Sequence, residues 1–247
     1  MKNIILFILA FPAIIIAQNS DTASIIPVFS VSYSFQMPGG DLADRYGNNS
    51  NIGGSFQIKA KKNLFIIEGN FLFGNQLKDE AQNIFQNIET SDGYIIDRQG
   101  EYANVILSER GFFIGGRAGR IIPVFKNNTN SGFMFNIGAG LLQHKIRIEN
   151  DGNRAPQILN DYKKGYDRLT NGFTISEFVG YFHLDKNHIT NFYGGIELYQ
   201  AWTKCRRDFN FDTMEKDDKE RLDLLFGIKI GWMIPVYKRM SDGHYYY

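Results

Sequence analysis

Alternation of apolar and polar side chains with a period of two most constrains what this chain can fold into. It is clearest near the C-terminus, where one unbroken apolar face runs through Leu222, Leu224, Phe226, Ile228, Ile230, Trp232, Ile234 and Val236. A period of two predicts a β-strand with chemically different faces. This strand is much longer than the roughly 5 to 6 residues usual in soluble sheets.

The same period indicates seven further strands, which makes eight in all. Their expected bounds are 25–37, 51–59, 64–73, 111–121, 132–148, 172–183 and 191–202. The fifth changes phase at Leu142, which predicts a β-bulge. The fourth and sixth have ambiguous phases. In the fourth, the glycines of GGRAG, Gly115–Gly119, are expected to accommodate a bend or a bulky inward side chain.

The connections between these strands alternate in length. They are short after the second, fourth and sixth strands and long after the first, third, fifth and seventh. That asymmetry is typical of outer-membrane barrels. We therefore predict an all-β fold: an eight-stranded antiparallel transmembrane up-and-down β-barrel with short periplasmic turns, long extracellular loops and its apolar face toward lipid. The alternative is a secreted sandwich or lipocalin-like barrel with the apolar face inside.

The N-terminus has the layout of a secretory signal peptide. Lys2 precedes an apolar run from Ile4 to Ile16, and Ala17 precedes a polar stretch. We expect residues 1–17 to be the signal peptide and 18–247 the barrel domain. No later apolar run approaches the roughly 20 residues of a spanning helix. The expected location is the outer membrane of a Gram-negative bacterium, where the chain is integral and contacts lipid.

Charged residues opposite the apolar faces indicate a charged lumen. Glu68, Glu197 and Lys229 take these positions on well-phased strands. An unpaired charge in a narrow lumen is costly, so we expect ion pairs there, with Arg117 and Glu177 as further members.

Two long loops contain candidate docking residues. In KDEAQNIFQNI the residues Ala81, Ile84, Phe85 and Ile88 recur at helical spacing. Such a helix either folds over the other loops or presents an apolar ridge to another protein. The loop with Tyr162, Tyr166 and Arg168 has residue types favoured at interface hot spots, which also hold loops together. We expect both loops to dock a partner.

Other kinds of site find little support. The net charge of +1 gives no reason to expect nucleic acid. The four histidines lack metal-ligand spacing, so neither a metal nor a cofactor is expected. The acidic residues in PGGDLADRYGNNS are compatible with a Ca²⁺ site, although the EF-hand pattern is missing. Cys205, the single cysteine, is expected in a solvated loop.

Several segments resemble a known group of proteins. They are IIIAQ, PGGDLADRYG, TSDGYIID, LQHKI, YKKGYDRLTNGF and LDLLFGIKIGWMIPVYKR. With them the chain resembles small Bacteroidota-type outer-membrane β-barrels, either free-standing OmpA-like barrels, here without a peptidoglycan-binding domain, or accessory subunits of outer-membrane machines. The resemblance implies location and fold and supplies no catalytic residues.

Together these features favour a non-enzymatic barrel. We expect it to be an accessory or scaffold subunit of an outer-membrane assembly or export machine, of the barrel-assembly or type 9 secretion type, whose partners are other outer-membrane proteins. A stand-alone structural or adhesin-like barrel is the first alternative. A lipid-modifying barrel enzyme is the second.

Overall fold

Eight antiparallel strands close into a barrel in the computed structural model, which describes residues 25–236 apart from 126–127 and 186–189. The strands are β1 Ile25–Gly40, β2 Asn49–Ala60, β3 Asn63–Gly74, β4 Val105–Phe125, β5 Asn128–Asn150, β6 Thr170–His183, β7 Phe192–Cys205 and β8 Glu220–Pro235. Each strand pairs with the next in the chain, and β1 pairs with β8 to close the ring. This confirms the predicted eight-stranded up-and-down barrel. The predicted signal peptide lies outside the described residues.

The connections sort by length as the sequence predicted. At one end of the barrel β2 and β3 are joined only by Lys61 and Lys62. At the other end the chain forms long loops with helical turns, namely α1 Asp79–Gln82 and the 3-10 segments Asp41–Asp44, Asn83–Phe85, Asp151–Asn153, Pro156–Ile158 and Asn160–Gly165. The helical spacing of the segment 78–88 is thus realised at residues 79–85. No described helix is long and apolar enough to cross a membrane.

The outer surface of the barrel is an apolar belt. Large apolar side chains such as Val31, Ile67, Ile137, Ile196 and Ile228 are more than half exposed. Water does not stabilise such a continuous surface. The apolar face is outside, as predicted for a transmembrane barrel. A secreted sandwich or lipocalin-like barrel would have this face inside.

Aromatic side chains border the belt at both ends. Toward the long loops, the rings of Phe173 and Trp202 stack with centroids 6.3 Å apart. Toward the short turns, Phe133 meets Tyr181 at 6.2 Å. Girdles of this kind mark the two interfaces of a membrane-spanning barrel. We take the strand segments between these two girdles as the membrane-spanning part.

The predicted bulge at Leu142 is wrong. The β4–β5 register runs without a break from Val105–Asn150 to Pro123–Gly132, and the irregularity lies between Pro123 and Phe125. Leu142 points inward, as do Ile146 and Ile148 farther along β5. The apolar side chains change face because β5 leaves the membrane there, where the outside becomes polar and the inside becomes an apolar core.

The ambiguous phase of β6 has a related cause. Phe173 and Val179 face outward, whereas Phe178 and Phe182 are buried inside. The inward rings belong to a core at the short-turn end of the lumen, formed by Ile26, Val28, Leu64, Ile66, Ile121, Met134, Phe178, Phe182, Leu184, Tyr193 and Met233. Both faces of β6 are therefore apolar, and alternation alone does not distinguish them.

Glycines on β4 and β5 make room for a large inward ring, as predicted for GGRAG. A Cβ atom at Gly115 would lie 2.6 Å from Cζ of Phe113, and one at Gly140 would lie 2.7 Å from the same atom. Phe113 in turn packs edge-on against Tyr199, with ring centroids 4.9 Å apart. The small residues thus allow two aromatic side chains to fill the lumen.

The long loops form a cap with its own apolar core over one end of the barrel. This cap core contains Leu42, Tyr46, Leu77, Ala81, Ile84, Phe85, Ile95, Ala155, Ile158 and Tyr166, and it continues into Leu72, Phe113, Leu142, Ile146 and Ile148 of the strands. Ile88, Val105 and Phe211 pack against it. The loops are therefore folded onto the barrel.

Candidate functional site in the lumen and cap

Four charged side chains meet inside the barrel at mid-height. Arg117 places Nε 2.6 Å from Oε1 of Glu68 and Nη2 3.6 Å from Oε2 of Glu197. Lys229 places Nζ 3.1 Å from Oε2 of Glu68 and 3.2 Å from Oε2 of Glu197. Each cation thus contacts both carboxylates, and two charges of each sign cancel. The alternation of β3, β4, β7 and β8 brings these residues together because each lies on the inward face of its strand.

Neutral side chains add hydrogen bonds to Glu197 and Arg117 of this cluster. Ser34 Oγ and Gln36 Nε2 donate to Oε1 of Glu197, at 2.6 Å and 3.0 Å. Tyr199 Oη accepts from Nη2 of Arg117 at 2.9 Å and donates to Oε2 of Glu197 at 3.2 Å. Charge is tolerated in a low-dielectric interior only when it is paired and hydrogen-bonded in this way.

The cluster closes the lumen. The space remaining between Glu68, Arg117, Phe178 and Lys229 is about 10 Å³, close to the smallest cavity that holds one water molecule. Above it lies the cap core, and below it lie Phe178, Phe182 and Tyr193. Side chains fill the interior of an eight-stranded barrel, and here the charged cluster and the apolar core below it occupy the described part of the lumen.

Glu177 is not part of the lumen cluster, and its prediction there is wrong. On β6 it shares the outward face with Phe173, Ile175 and Val179. The lumen position beside it is taken by the buried ring of Phe178. The error follows from the ambiguous phase of β6, since a glutamate next to apolar residues on both faces was assigned to the wrong one.

A second polar cluster, which the sequence analysis missed, lies between the lumen and the cap. Asp223 on β8 accepts hydrogen bonds from Nη2 of Arg45 at 2.6 Å and from Oγ1 of Thr203 at 2.6 Å. His144 Nε2 lies 3.0 Å from Oδ2 of Asp223, the oxygen atom that also accepts from Thr203, whereas Arg45 contacts Oδ1. The pKa of His144 is lowered, chiefly because burial disfavours the imidazolium. The neutral ring therefore donates its Nε2 proton to Asp223.

Glu109 lies beside this cluster. It is 1% exposed and accepts one hydrogen bond, from Nδ2 of Asn49 at 3.0 Å. Burial raises the pKa of Glu109 to about 7, against smaller opposing effects of Asn49 and Arg45. The carboxyl group therefore titrates near neutral pH, on the part of β4 that lies above the belt.

One signal in the sequence pointed to this second cluster. Asp223 has the same parity on β8 as Lys229, and the inward face of a regular strand includes both. Arg45 lies in a loop, and no periodicity predicts which strand a loop residue will contact. His144 has the parity of Leu142, so the assumed bulge hid its inward orientation.

Most of the predicted docking residues are inside the cap. Ala81, Ile84 and Phe85 are at most 3% exposed, and Tyr166 is also buried. Ile88 packs against the same core, and Arg168 pairs with Asp212. Their prediction as an exposed docking ridge is therefore wrong, because the loops bury these apolar side chains among themselves. Of the predicted set, Tyr162 is exposed, at 60%.

Cys205 is also placed differently from the prediction. It is the last residue of β7, has the inward parity of Thr203 and is 5% exposed. The expectation of a solvated loop cysteine is wrong because β7 extends three residues beyond its predicted end at Trp202. Among the described residues, no three His, Cys, Asp or Glu side chains are grouped as a metal site would require.

A closed antiparallel barrel with an apolar belt, two aromatic girdles and a charge-paired lumen defines a class of protein. It is the class of eight-stranded integral barrels of the outer-membrane type, which cross the bilayer with strands alone. The assignment follows from the chain's own surface, since a soluble barrel would expose this belt to water.

Comparison with known proteins gives only distant similarities. No protein-family model matches the chain, and no curated protein matches it. Among solved structures, the chain is similar to Neisserial surface protein A, with 9% identity, a TM-score of 0.45, and coverage of 84% of this chain and 96% of that one. It is also similar to Ail, the attachment invasion locus protein of Yersinia pestis, with 8% identity, a TM-score of 0.42, and coverage of 85% and 98%. For OprG from Pseudomonas aeruginosa the identity is 11%, the TM-score 0.40, and the coverage 85% and 96%. Similarity this low says nothing of function.

Proposed function

We propose that this protein is a non-enzymatic outer-membrane barrel that serves as an accessory or scaffold subunit for other outer-membrane proteins, in a machine of the barrel-assembly or type 9 secretion type. The observation that carries the proposal is the closed lumen. The four central charges are paired with one another, and the core beneath them is apolar. A lumen filled in this way favours a function at the outer surfaces of the barrel.

The His144–Asp223 pair does not have the geometry of a hydrolytic site. A hydrolytic site requires a nucleophile within hydrogen-bond reach of its base. In the His144–Asp223 pair, the nearby hydroxyl of Thr203 donates to Asp223 at 2.6 Å, and all three side chains are buried under the cap. A lipid substrate in the membrane has no access to this buried group, so the pair does not support the lipid-modifying alternative.

The top of the cap offers a surface for a partner. Tyr94 and Tyr102 stack with ring centroids 4.6 Å apart and are about half exposed, at 49% and 59%. Both lie in the loop between β3 and β4, the same loop from which docking was predicted. Exposed aromatic side chains held rigid by stacking are favoured at interface hot spots. We therefore propose this tyrosine pair as the docking surface in place of the buried ridge.

The test is purification of the full-length protein from its native membrane in a mild detergent. We expect it to co-purify with a second outer-membrane protein at fixed stoichiometry, and Tyr94→Ala with Tyr102→Ala to reduce that recovery while the barrel stays folded. Met214→Ala is the matched control, because Met214 is an exposed apolar residue of another loop. Purification of the wild-type protein alone would reject the scaffold role and favour a stand-alone structural barrel.

A further inference from the structure

Glu177 lies on the lipid-facing surface, surrounded by apolar side chains. Its paired positions are Ile137 on β5 and Leu198 on β7, and its outward neighbours along β6 are Ile175 and Val179. Ile137 is 58% exposed and Val179 is 49% exposed, so the described residues do not cover this part of the belt. The carboxyl group therefore sits in the belt and outside the barrel wall.

Glu177 lies midway between the two aromatic girdles. Phe173, in the girdle on the loop side, and Tyr181, in the girdle on the turn side, are each four residues from Glu177 along β6. Four residues of strand span about 13 Å. Glu177 is thus as far as the belt allows from both interfaces, and the amines of lipid headgroups lie beyond the girdles.

No described residue neutralises this carboxyl group. Within the described chain it forms no ion pair or hydrogen bond, and the outward-facing Arg120 lies two strands away, on β4, toward the short turns. The lumen carboxylates Glu68 and Glu197 provide the contrast, because each has two cationic partners. The lumen cluster pairs its four charges, whereas no described residue pairs with the outward carboxyl group of Glu177.

An ionised side chain in the hydrocarbon region is expensive, and such residues usually mark a functional contact. A carboxyl group at this depth has two stable states. It either binds a proton or meets a cationic group that is also within the membrane. The second state points to another polypeptide, since no described residue of this chain supplies a cation there.

We propose that the outer surface of β5, β6 and β7 around Glu177 is an interface within the membrane, and that its occupant is another membrane protein that presents a lysine or arginine side chain to this carboxylate. The inference rests on the proposed scaffold function. It adds which face of the barrel the partner contacts and that the partner presents a cationic side chain. Charge complementarity selects this occupant over a second copy. Two copies related by a twofold axis along the membrane normal would bring two carboxylates to the same depth, where like charges repel.

Reaction with dicyclohexylcarbodiimide tests the interface. This apolar reagent reacts with a protonated carboxyl group in an apolar environment. The carboxyl oxygen bonds to the carbodiimide carbon, the proton goes to a nitrogen atom, and the adduct rearranges to a stable N-acylurea without a leaving group. A carboxylate covered by a cationic side chain is protected. If a lysine amine attacks the adduct instead, an amide forms and dicyclohexylurea leaves, which links the two proteins.

The comparison is between native outer membranes and the purified protein reconstituted alone in phosphatidylcholine vesicles at the same pH. We expect labelling of Glu177, followed by peptide mass, to be several-fold lower in native membranes than in vesicles. Glu177→Gln removes the labelled site. In native membranes it should also reduce recovery of the partner, while the heat-modifiable gel shift of the folded barrel persists.

A second variant controls for access of the reagent. Val31→Glu with Glu177→Gln places the carboxyl group at the middle of the outward face of β1, three strands from β6, where Val31 is 56% exposed. We expect this carboxyl group to label equally in both preparations. Equal labelling shows that the reagent enters native membranes. The protection of Glu177 is then specific to the outward face of β6.

Two results would overturn the inference. Equal labelling of Glu177 in membranes and in vesicles would show a protonated acid that faces lipid. Protection that persists in vesicles containing this protein alone would show contact between copies. In either case, the scaffold role stands if the wild-type protein co-purifies with a partner and the double variant Tyr94→Ala with Tyr102→Ala reduces the recovery of that partner. Purification of the wild-type protein alone removes both.

Discussion

Lys229 on β8 and Glu68 on β3 meet across the lumen, with Nζ 3.1 Å from Oε2 and both side chains at most 5% exposed. Lys229 also contacts Glu197, and Arg117 contacts both carboxylates. The four charges therefore connect β3, β4, β7 and β8 through the interior, in addition to the hydrogen bonds around the wall. Removal of one cation leaves two buried carboxylates with a single positive partner.

Lys229→Met is expected to lower the free energy of unfolding by about 3 to 5 kcal/mol, the range for loss of one partner from a buried pair. The measurement is urea unfolding of the barrel in detergent micelles. Ile230→Met, at the neighbouring lipid-facing position, is the control and should change it by less than about 1.5 kcal/mol. Equal effects of the two substitutions would show that the lumen cluster does not stabilise the barrel.

Glu109 should make stability depend on pH. Because burial raises its pKa from 4.5 to about 7, the folded state binds the proton more tightly than the unfolded state. The resulting stability is fully present below pH 4.5 and is lost as the pH rises through about 7. Glu109→Gln, which keeps the contact with Asn49, should be increasingly stabilising relative to wild type from pH 5 to pH 8, by up to about 3 kcal/mol.

The measurement for Glu109 is the difference in unfolding free energy between variant and wild type across this range. Its control is Glu149→Gln, since Glu149 is an exposed carboxylate paired with Arg147, and exposed pairs contribute about 0 to 1 kcal/mol. The lowered pKa of His144 acts in the opposite direction, with stability lost as the pH falls below 6.5. That effect is common to wild type and Glu109→Gln and cancels in the difference. A flat difference would contradict the buried, protonated Glu109.

The orientation of the barrel can be tested by cysteine labelling of intact cells. Asp92→Cys in the loop between β3 and β4 should react with a membrane-impermeant maleimide, and Lys62→Cys in the turn between β2 and β3 should not. Both native residues are exposed. The wild-type protein should remain unlabelled because Cys205 is buried. The reverse pattern would place the long loops on the periplasmic side.

The cap core should protect its loops from proteolysis. Ile84→Ala with Phe85→Ala removes two buried side chains, one of which packs against the ring of Tyr166 with centroids 5.1 Å apart. Such truncations typically cost about 2 to 5 kcal/mol each, so trypsin should cleave at Arg98 much faster while the strands stay resistant. Ile106→Ala, at an exposed position of β4, should leave cleavage unchanged. Unchanged cleavage of the double variant would mean that the core does not hold the loops closed.

The barrel could be predicted from sequence because each membrane strand has a simple two-sided environment. Lipid requires apolar side chains on one face, so regular strands such as β8 show their phase without ambiguity, and Glu68, Glu197 and Lys229 follow as inward residues. The alternating lengths of the connections then give the topology. These signals are local and periodic, which is why a single sequence contains them.

The remainder depended on contacts between distant segments. Leu142 and Ile146 are apolar because a cap lies over them, and the sequence of β5 does not predict the cap. Ile84 and Phe85 have the spacing of a docking ridge and equally that of a core, and the difference depends on whether Tyr166 and Ile158 are close. Glu177 was misplaced because Phe178 and Phe182 fill the lumen beside it, which removes the contrast between the two faces of β6.

The unequal lengths of the strands affect how the protein bears mechanical load. β4 and β5 continue their shared ladder above the belt to Val105 and Asn150, past the ends of their pairing with β3 at Gly74 and with β6 at Thr170. Tension applied to this projecting ribbon along its length acts in shear on many interstrand hydrogen bonds at once, whereas a hairpin peeled sideways breaks them one at a time. The ribbon should therefore resist tension along its length much better than sideways peeling.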